Sequence, residues 1–275
     1  MSAAAVDDIE LPLLLQAIWG RWGYDFRDYA RAPMQRVLAN VQARHGIATL
    51  SMLQHRVLHD PAFFETLLPE LVLSVSDLFR EPASLRRLCE EARPWLRTFA
   101  RIKVWHAGCA AGQEVYSLAI LLEECGLLGR TLAYDTDINP QALAAAREAI
   151  YPERDIRDRA AAYHEAGGIE RIDRYFAFSS GLGQVREAIR EHAMFADHNL
   201  VTDGPVAHVQ VVLCRNTLMY FDEDLRDRAI DVFWAALEPG GFLCLGEREG
   251  LMPDRRHHGF ERLPGARALY RKRAS

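Results

Sequence analysis

The chain has 275 residues, 49% of them hydrophobic and 26% charged, with a formal net charge of −5. That length and balance suit one large globular domain plus a small one, and offer no global basic field for nucleic acid. Five cysteines without CxxC spacing argue for reduced thiols over a disulfide framework or a metal site, so no metal is expected. The opening MSAAAVDDIELPLLLQAIWG is acidic before its apolar run, unlike a signal peptide, and no apolar run approaches the roughly 18–20 residues of a membrane span. The expectation is a cytoplasmic protein without membrane insertion, a monomer by default.

Residues 11 to about 90 carry helix-period apolar patterns. Leu13, Leu14, Ala17 and Ile18 predict one helix, and Val37, Leu38 and Val41, stopped by Gly46, a second. Leu50, Leu53, Val57 and Leu58 predict a third, and Asp60-Pro61 punctuates the start of a fourth. The pattern breaks at Arg80-Glu81-Pro82, before a helix through Leu85, Leu88 and Trp95. The expected division is a helical N-terminal domain over 1–85 and a second domain over 86–275.

From residue 102 strands alternate with helices. Strands are predicted at 102–107, 131–135, 209–214 and 242–246, and helices at 113–125, 140–149 and 224–237. This rhythm indicates an α/β, doubly wound, Rossmann-like parallel sheet with both faces covered. Residues 260–263 and 268–271, around Pro264-Gly265, predict a closing hairpin. Residues 151–196 interrupt the rhythm, and the turn Ser180-Gly181-Leu182-Gly183 marks a small antiparallel β insertion at about 170–196.

Three stretches carry polar or glycine chemistry at strand ends. Gly108-Cys109-Ala110-Ala111-Gly112 leaves the first strand with almost no side chain. It is either a tight connection or a backbone surface for a ligand at a helix N-terminus. Glu114, in the first helical turn, favours the positive helix end on its own account. Asp135 lies about twenty residues after the glycine loop, where an acid accepts ribose hydroxyls; Asp137 and Asn139 suit helix capping. Arg215-Asn216 ends a buried strand, as a ligand site or a loop tie, and Tyr220 suits a core ring or a catalytic group.

The segments SVSDLFREP, VWHAGCAAGQEVYSLAILLEE, AYDTDINPQALAAAREAIYP, FADHNL and VVLCRNTLMYFDEDLRDRAIDVFWAALEPGGFLCLGERE together resemble CheR-type chemoreceptor methyltransferases. The resemblance covers nearly the whole chain. It implies a class I methyltransferase that uses S-adenosylmethionine, releases S-adenosylhomocysteine and forms glutamate methyl esters on a chemoreceptor. Carried over by motif, it places Ser74, Ser76, Arg80, Gly108, Glu114, Asp135, Asn199, Leu200, Arg215 and Asn216 at the cofactor. Arg80 and Tyr220 then lie nearest the transferred methyl group. The implied partners are the cytoplasmic helices of a chemoreceptor and a receptor C-terminal peptide at the β insertion, with no nucleic acid.

Three departures bear on the acceptor and cofactor. Ser74 and Ser76 stand where the family usually has Asn and Thr, and Gln113 replaces a glutamate. The second helix keeps only Arg31, Arg36 and Arg44, with His45, of a usually arginine-rich face. A small carboxylic acid as acceptor, or a non-catalytic module that binds S-adenosylmethionine or S-adenosylhomocysteine, are the competing readings. A carboxylate acceptor is already ionised at neutral pH, so no histidine base is expected, and His106 and His198 read as loop or edge residues.

Overall fold

The computed structural model describes residues 6–72, 76–251 and 259–273, so Ser74 lies outside the described residues. Two compact units are present: residues up to 73 with Met219–Arg228, and residues 74–218 with 229–275.

The first unit is helical: α1 (Val6–Trp22), α2 (Arg31–His45), α3 (Leu50–His59) and α4 (Pro61–Leu71). Its core follows the apolar period. Leu11, Leu14, Leu15 and Ile18 of α1 are buried with Val37, Leu38 and Val41 of α2 and Leu53 and Val57 of α3. Gly46 ends α2 in the left-handed conformation (φ 65°). Thr49 caps α3 by accepting from Met52 N–H (3.2 Å), and Asp60 caps α4 by accepting from Phe63 N–H (3.0 Å), with Pro61 at the first helical position.

The second unit alternates as expected. Its elements are α5 (Pro82–Leu96), β1 (Ile102–Ala107), α6 (Gln113–Glu124), β2 (Thr131–Asp137), α7 (Pro140–Glu148), β3 (Ile150–Pro152), α8 (Glu153–Asp158) and α9 (Ala160–Glu165). Then come β4 (Phe176–Ser179), β5 (Leu182–Val185), α10 (Glu187–Arg190), β6 (Ala193–Asp197), β7 (Val209–Cys214), α11 (Glu223–Ala236, of which the residues to Arg228 fall in the first unit), β8 (Leu237–Leu245), β9 (Phe260–Arg262) and β10 (Leu269–Lys272). The main sheet runs β6-β2-β1-β7-β8-β10-β9. Its first five strands are parallel, and β10 and β9 close it as the antiparallel hairpin. A separate antiparallel sheet has the order β3-β5-β4. The fold is therefore the doubly wound α/β sheet with a helical N-terminal part and a small antiparallel insertion.

Burial explains the central strands. All six residues of β7 are buried, as are five of six in β1, which fits near-continuous apolar runs covered on both faces. Two elements differ from expectation. β6, expected as part of the insertion, pairs with β2 as an edge strand, its apolar run Ala193–Ala196 short and partly exposed. β8 begins at Leu237 because Glu238-Pro239-Gly240-Gly241 bulges within the strand instead of turning before it. A Cβ at Gly241 would lie 2.8 Å from the Glu238 carbonyl oxygen and 2.9 Å from that of Gln210, so the bulge admits only glycine.

One carboxylate anchors the segment between α9 and β4. Glu124, at the end of α6, accepts hydrogen bonds from Tyr175 Oη (2.7 Å), Tyr163 Oη and the backbone N–H groups of Ile169 (3.0 Å) and Glu170 (3.1 Å). Burial opposes its ionisation, but these donors outweigh burial and hold its pKa below the usual 4.5. A carboxyl lowered in the folded state stabilises fully above its unfolded value and loses that contribution as pH falls through the folded value. Denaturant titrations of wild type and Glu124→Gln should therefore show a stability difference that is full at pH 6–7 and shrinks steadily below about 4.5.

Candidate active site at the carboxyl edge of the parallel sheet

Because β6, β2, β1, β7 and β8 are parallel, their carboxyl ends share one edge. In sheet order that edge carries Asn199-Leu200 after β6, Asp137 at the end of β2, the glycine turn after β1, Arg215-Asn216 after β7 and Gly246–Glu249 after β8. The chain leaves β1 in one direction toward β2 and returns on its other side at β7, so the switch point lies between the glycine turn and Arg215. That crevice is where open α/β sheets bind ligands.

The glycine turn is built from backbone conformation. Gly108 (φ 80°), Ala110 (φ 49°) and Gly112 (φ 83°) all take positive φ, and Gly112 immediately precedes α6. A Cβ at Gly108 would sit 2.5 Å from Thr217 Oγ1, so residue type here is set by space as well as φ. The N–H groups of Gly108 and Cys109 donate to the Thr136 carbonyl (2.8 and 2.9 Å), and Ala110 N–H donates to Asp137 Oδ2 (2.8 Å). Asp137 Oδ1 accepts from Asn139 N–H (2.9 Å), while Asn139 caps α7 through Gln141 and Ala142. Of the two residues read as caps, Asn139 is one and Asp137 pins the glycine turn.

Asp135 lies two residues inside β2 and has no accessible surface. Its Oδ1 is 2.7 Å from His106 Nδ1, across the register pair His106–Asp135 of β1 and β2. His106 is thus a buried strand residue, not a loop or edge one. Burial raises the Asp135 pKa, and the His106 contact opposes that rise. Asp137 is raised by burial as well, against hydrogen bonds from Asn139 and Ala110. It is Asp137 that ends β2 beside the glycine turn.

The strongest electrostatic feature is Arg215, whose side chain is 1% exposed. Its Nη1 donates to Glu114 Oε2 (2.6 Å), and its Nη2 donates to Glu81 Oε2 (3.0 Å) and to the Arg80 carbonyl (2.6 Å). Asn216 (φ 60°) donates from its backbone to Glu249 Oε2 (2.7 Å) and from Nδ2 to Glu81 Oε1 (3.4 Å). Gly246 N–H reaches the same Glu249 oxygen (2.9 Å), and Glu247 N–H reaches Glu81 Oε2 (3.1 Å). Burial opposes ionisation of Glu81, but the Arg215 charge and these donors hold its carboxyl below the usual value.

The structure therefore brings Arg80, Glu114, Arg215 and Asn216 into one network. Half-buried Ser76 precedes it in sequence, next to Asp77, which pairs with Arg159 (2.8 Å). Asn199 shapes its own turn, accepting from Val201 N–H (2.9 Å) and donating from its backbone to Asp203 (2.9 Å), while Leu200 is buried. Tyr220 belongs to the helical unit, where its carbonyl accepts from Ala30 N–H (2.7 Å). Sequence reading missed Glu81, Glu249 and the role of Asp137. Glu81 was visible only as part of a break between helices; nothing local marks Glu249.

Comparison with known families decides what this edge belongs to. The family described as "CheR methyltransferase, SAM binding domain" matches residues 74–267, and "CheR methyltransferase, all-alpha domain" matches residues 9–72. The chain belongs to the CheR methyltransferase family. It is 41% identical over 272 residues to the Pseudomonas putida protein named Cher3, covering 99% of this chain and all of that one. It is 26% identical over 241 residues to the chemotaxis protein methyltransferase of Listeria monocytogenes (84% of this chain, 86% of that one). The chemotaxis protein methyltransferase of Salmonella typhimurium is 26% identical over 260 residues (89% and 85%).

The cofactor of a CheR methyltransferase is S-adenosylmethionine, and the residues present fit it. The methionine ammonium needs an anion, and Glu114, held by buried Arg215, places one at the switch point. Gln113 Oε1 and Arg215 Nε are buried without a hydrogen-bond partner among the described residues, which suits a polar ligand against them. Asp137 adds a carboxylate next to the turn, and the turn itself admits close backbone approach.

Gly108→Ala should destabilise the fold by more than about 1 kcal/mol, since it forces alanine into positive φ. Adding Thr217→Ala removes the clash and should restore part of the loss, leaving the conformational part. Chemical denaturation of both variants measures the split.

Proposed function

We propose that this CheR methyltransferase transfers a methyl group from S-adenosylmethionine to glutamate side chains of a chemoreceptor, forming methyl esters and S-adenosylhomocysteine. The observation that carries the reading is the match of both the helical and the α/β parts to CheR domains. The names of the Listeria and Salmonella relatives support a chemotaxis substrate.

S-adenosylmethionine supplies a methyl group on a cationic sulfonium, a good leaving group. A glutamate carboxylate, titrating near 4.3 when free, is already an ionised nucleophile at neutral pH. What this chain must provide is orientation and exclusion of water, within the roughly 7–11 kcal/mol that positioning can supply. In this reading Glu114 meets the methionine ammonium beside the glycine turn, and buried Arg215 holds Glu114 from behind. Asp137 accepts the ribose hydroxyls in place of Asp135, whose carboxylate has no accessible surface. Asn199 and Leu200 flank the adenine, and Ser76 and Asn216 border the site. Arg80 orients the acceptor carboxylate with its planar cationic fork. The acceptor-side role of Tyr220 rests on the family resemblance.

The acceptor itself has two readings. Arg31 of α2 bonds Asp8, while Arg44 (3.3 Å) and His45 (3.1 Å) both reach Glu70. With Arg31, Arg44 and His45 already partnered within their own unit, Arg36 aside, the helix favours a less acidic acceptor, and a small carboxylic acid is the second reading. For the receptor reading, a receptor C-terminal peptide is proposed to pair with β3 or β4, the edges of the small sheet.

Purified receptors incubated with methyl-labelled S-adenosylmethionine should gain base-labile label. Label confined to an extractable small acid would replace the receptor reading with the second one. In calorimetry, Asp137→Asn should weaken S-adenosylhomocysteine binding about tenfold or more, from charge-assisted hydrogen bonds worth about 1.5–3 kcal/mol. Asp135→Asn should leave that affinity within about threefold, as expected of a group that exchanges no bond with the ligand.

A further inference from the structure

Arg80 sits between two non-glycine residues in the left-handed conformation, Phe79 (φ 53°) and Glu81 (φ 49°). Non-glycine residues rarely take this backbone, so something outside the segment must hold it. On one flank Phe79 does so by burial. Its ring has no exposure and meets Tyr163 edge-on at 5.1 Å, and its N–H donates to Ser117 Oγ (2.8 Å). On the other flank the holding group is the Glu81 carboxylate, which accepts from Arg215, Asn216 and the Glu247 backbone. The same Arg215 nitrogen that donates to Glu81 also donates to the Arg80 carbonyl, closing the loop around Arg80.

We infer that Glu81 is a positioning residue for methyl transfer: by gripping Arg215 and Asn216 it fixes the Arg80 backbone, and with it the guanidinium that addresses the acceptor carboxylate. This rests on the reading that Arg80 orients the acceptor. The consequence is asymmetric. Loss of the Glu81 charge loosens Arg215 Nη2, the nitrogen that also holds the Arg80 carbonyl, whereas Arg215 Nη1 keeps its 2.6 Å contact with Glu114 on the cofactor side. Turnover of the acceptor should suffer and cofactor affinity should not.

The test uses the full chain with two variants. In Glu81→Gln, hydrogen exchange of peptides spanning 77–85 should quicken about tenfold or more, as local opening becomes easier. Its kcat for receptor methylation should fall roughly 10- to 100-fold, the scale expected when a reacting group is misplaced by about 1 Å. S-adenosylhomocysteine affinity should stay within about threefold, because no bond on that side is removed. Glu81→Gly removes the carboxylate but relieves the left-handed backbone, so it should keep the fold and show the same loss of kcat. Unchanged exchange in both variants, or affinity falling in parallel with kcat, overturns the inference. A wild-type protein that labels no receptor would sink the functional reading instead, and the exchange measurement would still decide whether Glu81 holds the Arg80 segment.

Discussion

Parallel strand direction is the constraint on which this site depends. Five strands aligned in one direction deliver every strand-to-helix connection to one edge, whatever the distance between those connections in the chain. The glycine turn near residue 110 and Arg215 are neighbours only because β1 and β7 pair, with Val104 opposite Val211 and His106 opposite Leu213. That pairing is affordable because both strands are apolar enough to be buried on both faces. The polar residues begin where the strands stop, so the buried sheet and the site do not compete for the same positions.

Burial of Arg215 then sets the electrostatics of that edge. Taking a guanidinium out of water costs several kcal/mol unless its donors are met. Glu114 from one segment, and Glu81 with the Arg80 carbonyl from another, meet its two Nη groups, and the two acids keep the guanidinium protonated against its burial. A group held this way is a poor surface charge but a good organiser. It ties the entry to α6, the entry to α5 and the exit of β7 to one point, and removing it would strand two carboxylates.

Backbone strain gathers at the same place. Phe79, Glu81, Ala110 and Asn216 are four of the six non-glycine residues with positive φ among those described, and all four flank the carboxyl edge. Each such residue costs about 1–3 kcal/mol. The offsets are specific: a buried ring for Phe79, three donors for Glu81, the Asp137 carboxylate for Ala110 and the Glu249 carboxylate for Asn216. The small residues and acids around this edge therefore answer to local geometry as much as to any ligand.

Local periodicity by itself determined the helical N-terminal part, the alternating strands and helices, the closing hairpin and the glycine turn, because these depend on neighbours in the chain. It also marked Arg215 and Asn216, which stand where an apolar run ends, whereas Glu114 reads alone as a first-turn helix residue and gains a ligand role only from the family resemblance. What lay beyond it was every partnership across the sheet. The apolar run of edge strand β6, Ala193–Ala196, does not declare which strand it pairs with, and only the end of β2 and the contact with His106 show that Asp135 is the buried acid and Asp137 the one at the turn. Glu81 reaches Arg215 across more than a hundred residues, and no spacing rule encodes such a contact. Only the tertiary structure decided which acid faces the turn and which is sealed in the core, because burial and pairing are properties of the packed sheet and not of the strand that supplies the residue.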